Sequence, residues 1–247
     1  MINGMILNQY IESYNNDSFV IEMMMENLEL EGRLFILKEA EGGSMKDKIK
    51  ERMGMIKEKI NKIINFFREK INKMIKYITT KDKKNIIYYK SFSDAKKHHP
   101  KDDDDIFFDM IDDGIVNKEQ AAEYILGMKY SDITIDYFLN PKSGIECEGM
   151  MAYNKYIDDI NTLKKGINLL DKMINMASAE DEKLDKFGKD VDESMVLNSE
   201  ILYANTISHF YNVCLQAMNK GLATARKGKE TTDNTNKKQE DDKENNH

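Results

Sequence analysis

Residues 44–84 read SMKDKIKERMGMIKEKINKIINFFREKINKMIKYITTKDKK, and this stretch decides the fold. Ile49, Met53, Ile56, Ile60, Ile63, Phe67, Ile71, Met74 and Ile78 recur at steps of three or four, the period of one helical face. Lys and Arg crowd the positions between them: 14 basic residues stand against 5 acidic ones, a local net charge of +9. The whole chain carries −7, so everything outside the stretch sums to −16. The spacing predicts one uninterrupted basic amphipathic helix from Met45 to Ile78, about 50 Å long, inside an acidic protein. Ser44 is its expected N-cap, with Asp47 at the third helical position completing a capping-box-like pair. Gly54 falls mid-helix, at a cost of about 1 kcal/mol, which a closely approaching neighbour would explain.

Upstream, residues 1–43 hold 8 carboxylates against Arg33 and Lys38. Asp17 or Ser18 is placed to cap a helix running through Val20, Met23, Met24, Leu28, Leu30, Leu34 and Leu37. Gly42-Gly43 then breaks it. An acidic helix is thereby hinged to a basic one, and the two are expected to pair face to face, the first screening the charge of the second.

Within that hinge region Leu37-Lys38-Glu39-Ala40 fits the pattern Leu-x-Glu followed by a small residue. It resembles the site at which prohead proteases of large tailed bacteriophages cleave internal head proteins. In that family an N-terminal propeptide directs the protein into the assembling capsid and is then removed. The resemblance implies a virion structural protein cut after Glu39, with Leu37, Glu39 and Ala40 as the processing site and residues 1–39 as the propeptide. Ile49-Lys50-Glu51 and Ile56-Lys57-Glu58 share the first part, but Arg52 and Lys59 follow them and depart from the pattern. The abundance of Ile, Lys, Asn, Asp and Met suits an AT-rich coding sequence, as in low-GC bacteria and their phages.

For the basic helix three readings stand. Its apolar stripe packs on the rest of the fold or on a partner helix, with lysines as the solvated face. Alternatively it lies on an anionic membrane surface, or it neutralises phosphates of nucleic acid without sequence preference. The candidate contact surface is Lys57, Lys59, Lys62, Arg68, Lys70, Lys73 and Lys76. The five acids interspersed along the helix weigh against the last two readings.

Residues 85–105 read as a solvated charged linker, with Ile86-Ile87-Tyr88-Tyr89 as a short strand or piece of helix and His98-His99 before Pro100. The run Asp102 to Asp105 lacks the alternate spacing of a calcium loop. The later DMIDDG fails because Ile111 occupies a ligand position and Gln120 sits where the bidentate Glu belongs. Residues 106–226 read as a helical domain. Ile106, Phe107, Met110 and Ile111 share one side, and Asn117 with Gln120 forms a capping box for a helix over KEQAAEYILGMKY. Ser131 or Asp132 caps a second short helix, DITIDYFL, which has no Lys or Arg and makes a poor DNA reader. The rest is an expected antiparallel helical hairpin. One arm spans 148–177 with Met150, Tyr153, Ile157, Ile160, Leu163, Ile167, Leu170 and Ile174. The other starts at Asp192 or Ser194 and runs to Leu222. His209 on that arm reads as a core-edge or surface residue. From Lys227 to His247 no side chain is apolar, so a disordered tail is expected.

The fold class is therefore all-α. Cys147 and Cys214 lie far apart in no metal or redox pattern and read as reduced thiols. No phosphate-binding Gly loop, GxSxG, HExxH or Cys cluster occurs, and the expectation is a non-enzyme with no cofactor or metal. No secretory signal or apolar run of about 20 residues is present, which points to a virion or a host cytoplasm. The expected partners are other virion or host proteins, non-specific nucleic acid or an anionic membrane surface, with oligomerisation through helical packing. A membrane-surface or partner-docking module and a cytoplasmic regulator of a host protein are the competing functions.

Overall fold

A computed structural model of the chain describes residues 19–28, 30, 45–81, 89–91, 97–139, 145–176 and 193–244. The fold is all-α. A helical segment over 19–28 (α1) comes first. It is followed by α2 (Met45–Lys81), a two-residue strand β1 (Tyr89–Lys90), α3 (Ile106–Asp112), α4 (Lys118–Leu126), a 3-10 turn (Tyr130–Asp132) and α5 (Ile135–Phe138). Strand β2 (Glu146–Cys147) then leads into α6 (Gly149–Met176) and α7 (Glu193–Glu244).

Helix α2 is the uninterrupted coil its sequence period predicts. Ile56, Ile60, Ile63, Phe67, Ile71 and Met74 are all buried, joined by Ile64 one position off the stripe. They pack chiefly along α6, whose own stripe of Tyr156, Ile160, Leu163, Ile167, Leu170 and Met173 is equally buried. At the edge of this seam Arg68 Nη2 reaches Asp171 Oδ2 at 2.8 Å. The C-terminal hairpin exists, but α6 divides its burial between α2 and α7 instead of spending it on α7 alone.

Helix α7 is the centre of the core, touching α2, α3, α4, α5, α6 and β1. From Val196 to Leu222 nearly every side chain is buried, including the polar Ser199, Glu200, Thr206, Ser208, Asn212 and Asn219. Its backbone continues as helix to Glu244, and Leu222 is the last buried apolar residue among the described side chains. The stretch from Lys227 has no apolar side chain with which to join the core.

Short elements cap α7. Asn117 closes the start of α4 by accepting from the Gln120 N–H at 2.9 Å, while Gln120 Oε1 accepts from the Val116 N–H at 3.0 Å. Gly127 ends α4 in the left-handed region at φ 63°, a conformation a Cβ disfavours. The next helix starts later than the sequence suggests. Ser131 and Asp132 fall in the 3-10 turn, and Thr134 caps α5 by accepting from the Tyr137 N–H at 3.2 Å. In α3, Phe108 is buried together with Ile106, Phe107 and Met110, and Ile111 is half-buried.

The segment read as a free linker is fastened at several points. β1 pairs antiparallel with β2, Tyr89 opposite Cys147 and Lys90 opposite Glu146. The Tyr89 hydroxyl donates to Asp159 Oδ2 at 3.1 Å, and Lys155 Nζ holds the other oxygen of this buried carboxylate at 2.7 Å. Burial and the Asp159 charge push the Tyr89 phenol well above its ordinary range. Further on, one ring nitrogen of His98 lies 3.1 Å from the Leu126 carbonyl and the other 3.0 Å from the Tyr137 hydroxyl. The Lys101 N–H donates to Ile125 O, and Lys101 O accepts from the Tyr203 hydroxyl. The reason is local: backbone and imidazole groups between 97 and 101 meet the carbonyl end of α4, which needs donors. Among the described residues of this segment Lys97, His99 and Lys101 to Asp105 remain exposed, whereas His98 is half-buried and Pro100 buried.

Both cysteines are free thiols, Cys147 half-buried and Cys214 buried, and burial raises each above its usual value.

Gly166, which faces the Tyr211 side chain across the α6–α7 seam, and Gly221 mark where elements come close, and Gly54 is not one of them. A Cβ at Gly54 would have nothing within 4 Å, so among the described residues no neighbour approaches there. A Cβ at Gly221 on α7 would fall 2.6 Å from the Lys90 carbonyl oxygen, a backbone atom of β1. Gly54→Ala should therefore raise stability by about 1 kcal/mol. Gly221→Ala should lower it by roughly 1–3 kcal/mol through overpacking. Urea midpoints of the two variants beside the parent check the pair, and equal midpoints would refute the close approach of α7 to β1.

Candidate functional site

Two surfaces carry groups able to act on something else: the outer face of α2 and a cleft between α1, α4 and α7. On α2 the expected contact residues divide into three kinds. Lys62, Lys73 and Lys76 are exposed. Two of these are already in i,i+4 ion pairs, Lys62 with Glu58 at 2.8 Å and Lys73 with Glu69 at 2.5 Å. Lys57 and Lys59 are half-buried, and Arg68 is engaged with Asp171.

Lys70 does not belong to the contact surface. It is only 7% exposed, with its Nζ 5.1 Å from the Phe66 ring, and desolvation lowers its pKa. Its position next to Ile71 and three past Phe67 puts it on the rim of the apolar stripe, where a long stem is drawn inward. The candidate processing residues Leu37, Glu39 and Ala40 lie outside the described residues.

The second surface was not anticipated. Leu202, Asn205, Thr206 and His209 follow one another at helical spacing on α7 and form the floor of a cleft of about 360 Å³. One wall is α1, with Glu22, Met25 and Glu26; the other is Lys118 at the start of α4 and Tyr130 in the 3-10 turn. Ile21, Met25 and Leu28, spaced four and three apart, are buried and hold α1 in place. The described part of the acidic leader thus faces α4 and α7 across this cleft. The expected screening of α2 by direct pairing would have to come from residues outside the description.

The Tyr130 and His209 rings stack, their centroids 4.8 Å apart and their planes at 18°. Lys118 Nζ lies 4.9 Å from the Tyr130 centroid. Burial pushes the His209 imidazole down to about 4, helped by the nearby Lys118 charge and opposed by a hydrogen bond with the Ile133 backbone. At neutral pH His209 is an uncharged ring, donor at one nitrogen and acceptor at the other. Asn205 Oδ1 and Thr206 Oγ1 are buried and have no hydrogen-bond partner among the described residues. Neither Glu22, Glu26 nor Lys118 forms an ion pair within 4 Å among the described residues.

His209 is thus a cleft residue, not a plain core-edge one, and the groups around it come from four separate parts of the chain. The only signal available in the sequence was the i,i+4 pair Glu22 and Glu26 on an otherwise apolar segment. Among the described residues no group of three or more His, Cys, Asp or Glu is placed to hold a metal ion. No helix among them is long and apolar enough to cross a membrane.

The depressed value at His209 has a sign. Its folded pKa of about 4 lies below the ordinary 6.5, so the unfolded chain binds the proton more readily. Stability is lost as pH falls from 6.5, and the loss is complete near 4, amounting to about 3 kcal/mol at most. Urea denaturation at pH 7, 5 and 4 should show a steeper fall for the parent than for His209→Gln. Parallel curves would place the imidazole in water.

No family model matches the chain, and no curated protein or solved structure matches it.

Proposed function

We propose that the chain is a non-enzymatic, helical structural protein of a tailed-phage virion, of the internal-head kind that Leu37-Lys38-Glu39-Ala40 resembles. Its contact with genome or shell is made by the cationic outer face of α2. One observation carries this reading: α2 spends its apolar face inside the molecule. Ile56, Ile60, Ile63, Ile64, Phe67, Ile71 and Met74 are all buried, so what α2 offers a partner is charge. A membrane-surface helix must put such residues into the lipid boundary, and here they are occupied. That weighs against the membrane alternative and in favour of a polyanion or an acidic protein surface. Removal of residues 1–39 would take 7 carboxylates and only 2 basic side chains from the molecule. The field around α2 would then become more positive.

Two measurements test the reading. In purified particles the mature chain should begin at Ala40 by mass spectrometry; recovery with Met1 intact defeats the processing step. In solution, the chain lacking residues 1–39 should bind mixed-sequence duplex DNA with a marked salt dependence. Replacing Lys62, Lys73 and Lys76 together by Gln should flatten the slope of log K against log salt by roughly 2–3. A slope untouched by the triple substitution removes α2 as the contact.

A further inference from the structure

Helix α1 is apolar on two opposite sides. With about 100° of turn per residue, Ile21, Met25 and Leu28 fall on one side, and all three are buried. Phe19, Met23 and Leu30 fall on the other and are 62%, 46% and 56% exposed, with Val20 beside them at 41%. Glu22 and Glu26, one turn apart and exposed, run along one edge of this outer stripe. A single exposed apolar side chain is ordinary. A line of them, on a helix whose inner face is already used on the core, is the mark of a contact surface.

The chain carries a complement to this stripe. On α2, Met55, Lys59, Lys62 and Phe66 share one edge of the helix, outside the buried stripe. Met55 is 51% exposed, and Phe66 is half-buried with Lys70 Nζ 5.1 Å from its ring centroid. Met55 and Phe66 stand eleven residues apart, the same separation as Phe19 and Leu30, which is about 16 Å along a helix axis. Between these apolar ends lie two carboxylates on α1 and two lysines on α2.

We propose that the outer face of α1 docks on the Met55–Phe66 edge of α2 in a second copy of this chain. Phe19 and Leu30 meet Met55 and Phe66 of the second copy, and Glu22 and Glu26 face its Lys59 and Lys62. Two α1 helices set against each other would instead bring four carboxylates together across a narrow apolar strip, which like charge opposes. The exposed Glu58–Lys62 pair on α2 is of the weak kind that exchanges partners readily. Because the two faces differ, the contact is head-to-tail. Every copy offers one α1 and one α2, so association runs on to a ring or an open chain. The patch is small, and the assembly is accordingly one that grows and dissolves with concentration. It belongs to the chain with residues 1–39 in place and does not rest on the virion reading. It shares α2 with the polyanion contact proposed above, so its test contains no nucleic acid.

The test uses the full chain, with light scattering after size exclusion from about 10 µM to about 500 µM, the range of weak interfaces. The weight-average mass should climb with concentration and pass that of a dimer. One variant, Phe19→Ser with Met23→Ser, lacks the α1 face and keeps α2. The other, Lys59→Glu with Lys62→Glu, lacks the α2 edge and keeps α1. Each alone should remain monomeric, and an equal mixture should form a one-to-one dimer that grows no further. That recovery shows that both variants are folded, and circular dichroism checks it separately. A parent chain that stays monomeric throughout overturns the proposal. So does self-association of the lysine-reversed variant alone, which would mean that α1 pairs with α1. A mixture that stays monomeric, or association that neither variant disturbs, overturns it as well.

Discussion

Everything in this molecule is arranged around the enclosure of one helix. Between Val196 and Leu222, α7 has almost no solvent-facing side and is surrounded by α2, α3, α4, α5, α6 and β1. An enclosed helix has its backbone groups satisfied internally, so the neighbours need supply only apolar contact and a few side-chain partners. That is why very short elements suffice around it. Helix α5 has four residues and β1 two, yet each bears on α7 with a buried residue: Phe138 packs edge-on against Phe210, and β1, with Tyr89 buried, lies under Gly221. The constraint also has a cost. Thr206, Asn212 and Asn219 are carried into the interior with oxygen or nitrogen atoms to place.

The sequence made some of this legible and hid the rest for physical reasons. Helix α2 was readable to within a few residues because it is apolar on one side and cationic on the others, the condition under which a 3.6-residue period shows itself. Helix α7 was readable as a helix but not as the centre, because a helix buried all round has no contrast between its faces. The His98 and Lys101 fastenings were missed for another reason. Adjacent histidines, a proline and an aspartate run look solvated, and only the fold shows that the end of α4 has carbonyl groups waiting there. Lys70 was misassigned because position on a helix tells which way a side chain starts, not how far its stem is drawn in. The cleft was beyond reach of any local pattern, since residues 22, 118, 130 and 209 meet only after folding.

Charge and packing are kept apart on α2 and brought together in the cleft, and this separates the two surfaces in kind. The face of α2 offers cations partly balanced by their own helix, Glu58 and Glu69 each holding a lysine one turn on. Exposed pairs of this sort are weak and yield readily to a denser source of negative charge. The cleft is different: its charges are few and form no ion pair among the described residues. A surface of the first kind suits extended, sequence-indifferent contact.

The burial of Ile21, Met25 and Leu28 gives the leader a double character. A propeptide that served only as an electrostatic shield could be shed without disturbing the body beneath. Here three enclosed side chains, each contributing roughly 1.5–3 kcal/mol by being kept from water, would leave with it. Trimming would then weaken the molecule and bare the apolar strip those side chains cover in a single event. A cut chain would have to find cover for that strip, from its own severed leader or from a neighbour in the assembly, so maturation and docking would be thermodynamically tied.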